Sequence, residues 1–258
     1  MCIIYLSKQG QFTRERCGAH NHLNKGGPVR RMILLVVFAL ATTGMAGDYL
    51  EDVSVIRAIL DSNGITGVSI ESITKSKDGR ITHLDLSSKD LAESFVDRIP
   101  PVIGKLSELQ SLNLAHNTLM SIPAEIGNLT KLKNLDLRGN DLSRLPESFA
   151  NLTELEKLDL GNNSLYEFPG QVVGMEKLWY LHLQNNKIKS LPEDISSMTG
   201  LKELYLKGNR LETLPLSIMN MSLAYCELIE NELCDLPPDL DEWMKKKDKQ
   251  YKDWQRCF

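Results

Sequence analysis

The chain has 258 residues, enough for one domain or two, and a formal net charge of -4. That mild acidity excludes a general binder of nucleic acid or anionic membranes, which would need a strongly basic face. A charged fraction of 25% and a hydrophobic fraction of 42% are those of a folded soluble chain, and the abundance of Leu over aromatics points to a repetitive aliphatic core.

Residues 1–31 are polar, contain Gly26, Gly27 and Pro28, and show no helical or strand period. They are expected to be disordered or to precede the true start of translation at Met32; the other reading is a long leader region. Residues 32–46, MILLVVFALATTGMA, follow Arg30 and Arg31 and end in Gly44-Met45-Ala46. A basic flank, a short apolar run and a small-x-Ala ending predict a secretory signal peptide, with the mature chain starting at or near Gly47. The run falls short of the ~20 residues that span a bilayer, so a retained anchor is the weaker reading. The residues after Arg30-Arg31 do not complete a twin-arginine signal, and no Cys ends the run to carry a lipid. The expected location is secreted, extracellular or periplasmic.

Residues 47–78 are expected to cap the core that follows. Asp48 can open a helix bearing Leu50, Val53, Val55, Ile56, Ala58, Ile59 and Leu60, stopped at Asn63-Gly64. Residues 67–73 alternate like an edge strand.

From 79 to 237 the sequence repeats. Asn117, Asn140, Asn163, Asn186 and Asn209 recur every 23 residues, and Asn231 follows after 22. Around them runs one frame: LQSLNLAHNTLMSIP, LKNLDLRGNDLSRLP, LEKLDLGNNSLYEFP, LWYLHLQNNKIKSLP, LKELYLKGNRLETLP and the looser LAYCELIENELCDLP. An earlier copy at 81–91 keeps the apolar positions but has Lys89 in place of Asn. Leu112 and Leu114 lie two apart, as do Leu135 and Leu137, Leu158 and Leu160, Leu181 and Leu183, and Leu204 and Leu206, so each pair faces one side of a short strand. Ile126, Phe149, Val172, Ile195 and Ile218 form a further apolar column on the returning segment. One such unit cannot offset its own ordering entropy, so stability must come from stacking neighbours. Where the chain turns inward after each strand, a buried Asn amide can donate and accept at once and satisfy stranded backbone groups between coils.

This frame resembles the leucine-rich-repeat family in its 23-residue form with a Leu-Pro step, over about 79–237. The resemblance implies an α/β solenoid: a horseshoe with a parallel concave β-sheet, an N-terminal helical cap and a C-terminal helical cap. Five extra residues between Leu91 and Ile99 read as a tolerated insertion in the frame, with a functional loop as the alternative. Residues 238–258 are expected to form the C-terminal cap helix, with Leu240, Trp243, Met244, Lys247, Tyr251 and Trp254 at helical spacing and Lys245, Lys246, Lys249 and Lys252 on a solvated face. This ending is similar to the cap of secreted bacterial leucine-rich-repeat proteins, which implies a disulfide between Cys234 and Cys257. Cys226 takes a strand position filled by Leu in the five preceding repeats and is expected to be buried and free.

No metal-ligand spacing, phosphate-cradling loop, nucleophile elbow or Cys-His arrangement appears, so no enzyme, metal or cofactor is expected. His182 at an outward strand position reads as a contact residue before a general base. Asp136 and Asp159, one coil apart, read as repeat-consensus residues before an acid/base or calcium pair. Asn128-Leu129-Thr130 and Asn151-Leu152-Thr153 match glycosylation sequons, yet they fall on repeat-consensus positions.

The residues flanking each central strand Leu point away from the core. One outward column is His83, Ser111, Asn134, Lys157, Tyr180, Glu203, Tyr225; the next is Asp85, Asn113, Asp136, Asp159, His182, Tyr205, Glu227; the third includes Arg138, Gln184 and Lys207. The expected ligand-binding set is Tyr180, His182, Tyr205, Tyr225, Lys207, Glu203, Glu227, Asp159, Asp136 and Arg138, weighted to the C-terminal half where the aromatics gather. The function expected is a monomeric, non-enzymatic binding protein that takes a protein, peptide or glycan on its concave sheet. The alternative is a structural or surface-display solenoid without a specific ligand.

Overall fold

The computed structural model describes residues 4–6, 12–14, 45–88, 96–247, 249 and 255–257. The expected signal run up to Gly44, the start of the 91–99 insertion, and Tyr251, Lys252 and Trp254 lie outside the described residues. Within 1–31, where no strand period was expected, β1 (Ile4–Leu6) pairs antiparallel with β2 (Phe12–Arg14), placing Leu6 opposite Phe12.

Helix α1 runs Met45–Ser62, so Asp48 sits in its first turn rather than at its cap. Its inward face is Asp52, Val55, Ile56, Ile59 and Leu60, while Leu50 and Ala58, expected to pack inward, face solvent. The helical period explains the exchange: 52, 55, 56 and 59 share one face, and 50 and 58 do not. The buried Asp52 carboxylate accepts two bonds from the Arg80 guanidinium, both at 2.9 Å, and one from the Ile81 amide at 2.8 Å. This clamps α1 to the first full strand of the sheet.

The edge strand expected at 67–73 is elsewhere. Ile70 and Ile73 are both buried on a single helical turn, α2 (Ile70–Ile73), because a spacing of three suits a turn better than alternation. The strand is β3 (Thr74–Lys77), which returns through Asp78-Gly79 to pair antiparallel with β4 (Arg80–Asp85). Both turn residues have positive φ, 51° and 76°. An Asp-Gly pair is the favoured sequence for a two-residue hairpin with both centres left-handed.

From β4 onward the chain coils. Strands β5 (Ser111–Asn113), β6 (Asn134–Asp136), β7 (Lys157–Asp159), β8 (Tyr180–His182), β9 (Glu203–Tyr205) and β10 (Tyr225–Glu227) stack in sequence order, all parallel. Leu84, Leu112, Leu135, Leu158, Leu181, Leu204 and Cys226 pair across them as one fully buried column. Cys226 is buried and is not one of the two bridged cysteines. The outer side of each coil is a short 3-10 turn rather than an α-helix. Prolines such as Pro123 (φ -68°, ψ 153°) hold the chain extended at the entrance to these turns, and Ile126 and Phe149 in them close the core from behind.

The Asn column lies between coils. Asn140 Nδ2 donates to the Leu114 carbonyl of the preceding coil (3.0 Å) and to Leu137 of its own (2.9 Å), while its Oδ1 accepts from Leu119 N–H (3.0 Å). Asn163, Asn186, Asn209 and Asn231 repeat this pattern one coil further on each time, and Asn117 opens it with bonds to Leu86, Leu114 and Val96. The residue before each Asn is left-handed: His116, Gly139, Asn162, Asn185, Gly208 and Glu230 all have φ between 53° and 69°. Gly and Asn at four of these six places are the residues that tolerate this conformation.

At the C-terminal end, α3 (Pro238–Lys247) lays buried Leu240 and Met244 and half-buried Trp243 on the last coil. Lys247, expected on the apolar stripe, sends its Nζ to the Leu223 carbonyl at 2.7 Å. The described helix is Pro238–Lys247, and residues 255–257 are not helical. Cys234 and Cys257 are joined by a disulfide. Next to it, Gln255 Oε1 accepts from Leu233 N–H and its Nε2 donates to the Leu228 carbonyl, both at 3.1 Å. Those are the two bonds that a further Asn in the column would make to the coil before it.

Candidate functional site on the concave sheet

The strand register brings the candidate residues onto one face. Lys157, Tyr180, Glu203 and Tyr225 are consecutive partners across β7–β10, and so are Asp159, His182, Tyr205 and Glu227. Seven parallel strands at ~4.8 Å spacing make a surface about 29 Å long.

The two halves of this face differ. In the N-terminal half the second column is spent on turn geometry: Asp85, Asn113, Asp136 and Asp159 each accept, through a side-chain oxygen, the N–H two residues ahead. Such bonds fix the exit from the strand. Burial first, and then the charge of Asp159, raise the Asp136 carboxyl above its ordinary range, against the lowering effect of its bond to the Arg138 N–H. Arg138 bridges the pair, 3.4 Å from Asp136 and 4.0 Å from Asp159. Asp159 is the more buried and is tied on its other side to His182 Nδ1 at 3.0 Å. A hollow of about 490 Å3 runs over this polar middle, lined by Asp85, Asn113, Asp136, Lys157 and Asp159, and ends against Tyr180.

The C-terminal half is aromatic. Tyr180 and Tyr205 have ring centroids 5.5 Å apart, Tyr205 and Tyr225 5.0 Å, and His182 and Tyr205 4.9 Å. The sequence reading missed a fifth ring. Trp179, just before β8, meets Tyr180 edge-on at 5.9 Å, and Lys157 Nζ lies 4.6 Å from its centroid. Its position is held by Gln110, Lys133, Glu156 and Lys202 in other coils, so a lone Trp there was a readable signal. Tyr205 Oη donates to Glu203 Oε2 at 2.9 Å. Burial and then that carboxylate push the Tyr205 phenol up to about 12. Lys207 is drawn to Glu230 at 3.1 Å, and Arg256 reaches the same carboxylate at 3.6 Å.

His182 is the imidazole among these rings. Burial lowers its pKa, but the bond to Asp159 and its charge, the neighbouring Gln184 side chain and the charge of Glu227 outweigh burial, and the net shift is upward. A raised folded pKa means a stabilisation present below the unfolded value of about 6.5 and lost as pH rises through the folded value. Between pH 6 and 9 the melting temperature of the native chain should therefore fall relative to that of His182→Gln. Parallel melting curves across this range would show that the His182–Asp159 pair has no such role.

Two family models match the sequence: a leucine-rich-repeat region over residues 83–179 and a leucine-rich repeat over 153–211. Together they cover half of the chain. The chain belongs to the leucine-rich-repeat family. No curated protein matches it. Among solved structures of the family fold, a leucine-rich-repeat protein of Leptospira interrogans is 25% identical, with 72% of this chain and 60% of that one covered and a TM-score of 0.48. A plant ice-binding protein is 25% identical, with 74% and 64% covered and a TM-score of 0.61. The leucine-rich-repeat ectodomain of the receptor kinase GASSHO1/SCHENGEN3 from Arabidopsis thaliana, in complex with Casparian strip integrity factor 2, is 28% identical, with 57% and 18% covered and a TM-score of 0.50. The chain thus spans less than two thirds of each of these three. Among the described residues of this leucine-rich-repeat protein, no helix is long and apolar enough to cross a membrane, and no group of three or more His, Cys, Asp or Glu side chains is placed to hold a metal ion.

Proposed function

We propose that this leucine-rich-repeat chain is a secreted, non-enzymatic binding protein that takes a protein, peptide or glycan on the C-terminal half of its concave sheet. The observation that carries this reading is the shelf of Tyr180, Tyr205 and Tyr225 beside His182, with Tyr225 44% exposed. Open aromatic rings add little to the core behind them and are the side chains on which recognition energy concentrates. The Arabidopsis ectodomain in its complex is a related fold holding a partner. The apolar run at 32–46 and the Cys234–Cys257 bridge both suit passage to an oxidising compartment.

The ring contacts across β8–β10 also favour a second reading, in which the tyrosines only brace the sheet of a surface-display solenoid. A ligand captured by the full chain from extracellular fluid or a glycan array separates the two. Tyr180→Ala, Tyr205→Ala and Tyr225→Ala should each weaken its binding by more than about 1 kcal/mol while the fold survives. If these variants bind normally, and changes at Asn113 or Asp85 abolish binding, the site is at the other end of the sheet.

A further inference from the structure

We infer that His182 is a proton-operated pin for the tyrosine shelf: with both ring nitrogens protonated it holds Tyr205 and Tyr180 in place, and on losing one proton to solvent it releases them. The inference goes beyond the binding reading above and does not depend on what the sheet takes.

Hydrogen-bond capacity supplies the first part. Nδ1 of His182 stands 3.0 Å from Asp159 Oδ2, and Nε2 is buried with no hydrogen-bond partner among the described residues. A neutral imidazole has one donor nitrogen and one acceptor nitrogen. If the donor is Nδ1, it serves the carboxylate and leaves a bare lone pair buried at Nε2. If the donor is Nε2, the lone pair of Nδ1 confronts the Asp159 carboxylate. Each neutral form therefore strands one nitrogen away from water, which is costly. In the imidazolium both nitrogens are donors, so Nδ1 keeps its carboxylate and Nε2 offers an N–H to its surroundings.

Position supplies the second part. His182 lies in register between Asp159 on β7 and Tyr205 on β9. With Nδ1 turned towards β7, the side of the ring that carries Nε2 turns towards β9. The Tyr205 ring is there, its centroid 4.9 Å from that of the imidazole and its plane at 62°, and Tyr180 is 6.1 Å away at 74°. The face of a phenol ring is electron-rich, so it repels a lone pair and attracts an N–H or a cation. A proton on the imidazole thus reverses the sign of the contact. Tyr205 in turn touches Tyr180 and Tyr225 and is bonded to Glu203, so what steadies it steadies the shelf.

The charged groups around the imidazole are Asp159 and Lys157 on β7, Glu203 on β9 and Glu227 on β10. Behind Asp159 stand Asp136 and Arg138, and Lys207, just past β9, is paired with Glu230. Burial opposes the imidazolium, but Asp159, the Gln184 side chain and Glu227 favour it, and the net displacement of its pKa is upward. The pin is engaged on the acid side of that raised pKa and disengages as pH rises through it.

The test is carbon-13 relaxation of the tyrosine rings in the full chain, without ligand, from pH 5 to 9, with the His182 imidazole signals followed in the same samples. The order parameter of the Tyr205 ring should fall from the rigid range, about 0.85, towards about 0.6 as pH rises. Its midpoint should coincide with that of His182, while the exposed ring of Tyr166 should show no such change. In His182→Gln the order of the Tyr205 ring should be the same at every pH. In Asp159→Asn the midpoint should move down. That variant keeps the turn, because Asn113 closes the equivalent one two coils earlier through the same side-chain oxygen contact. A Tyr205 ring whose order is independent of pH in the native chain overturns the inference. So does a pH dependence that persists in His182→Gln, or a midpoint that Asp159→Asn leaves unmoved. None of these outcomes touches the binding reading, which the tyrosine-to-alanine variants test separately.

Discussion

Replacing Asn163 by alanine should lower the unfolding free energy by about 2–6 kcal/mol: the buried Leu142 N–H loses its acceptor, at ~1–3 kcal/mol, and the Leu137 and Leu160 carbonyls each lose one of their two amide donors, at ~0.5–1.5 kcal/mol apiece, keeping Asn140 and Asn186. The Asn163 amide serves the Leu137 and Leu160 carbonyls and the Leu142 N–H, and the site is buried between coils. Asn163 is central in its column, with Asn117 and Asn140 before it and Asn186, Asn209 and Asn231 after it. In a solenoid held by nearest-neighbour contacts, a fault there weakens the coupling between two half-arrays rather than fraying one end. Urea unfolding followed by circular dichroism and by tryptophan fluorescence should therefore show two separated transitions. The fluorescence curve reports the C-terminal half, where Trp179, Trp243 and Trp254 all lie. A single transition at the native midpoint would mean that the column is not a structural spine.

Cys257→Ser should cost about 3 kcal/mol on chain entropy alone, given the 23-residue separation of the bridged cysteines. Its effect should be local before it is global. Without the bridge nothing covalent holds Gln255 over the last coil, and the Leu233 N–H and Leu228 carbonyl lose its company. Hydrogen exchange at Leu233 should accelerate strongly in the variant, and in the native chain under reductant, while amides of β5 and β6 keep their protection. Unchanged exchange at Leu233 would show that the C-terminal segment docks without the disulfide.

The repeat period made the parallel sheet legible. Each of its strands from β4 to β10 contains its central Leu or Cys226, and the pairing from β5 to β8 follows the 23-residue offset. Legibility failed where the period stops. Residues 67–73 alternate weakly, and the contest between one helical turn and a strand was decided by the burial of both Ile70 and Ile73. The Asp78-Gly79 hairpin was readable from its two residues alone, but lay outside the repeat frame. Asp52 looks like a polar interruption in a helix stripe. Its place in the core depends on Arg80, 28 residues away, which no local pattern announces. On the concave face the sequence placed Asp159 and His182 side by side as surface residues, whereas their mutual bond and burial remove much of Asp159 from contact. Gln255 was invisible for a similar reason: its role depends on the path of a non-repeating segment.

That glutamine has an evolutionary consequence. The segment after the last strand meets that coil as a further Asn would, through one amide, and asks of the final repeat only the bridging Cys234. Apart from the bridge, every coil boundary looks alike to this segment, since each exposes the same N–H and carbonyl at the same offset. Whole units can then be duplicated or deleted upstream without redesigning the closure. Each such event would lengthen or shorten the concave sheet by one strand, ~4.8 Å, so the reach of the surface and the chemistry on it can drift independently of the part that seals the end.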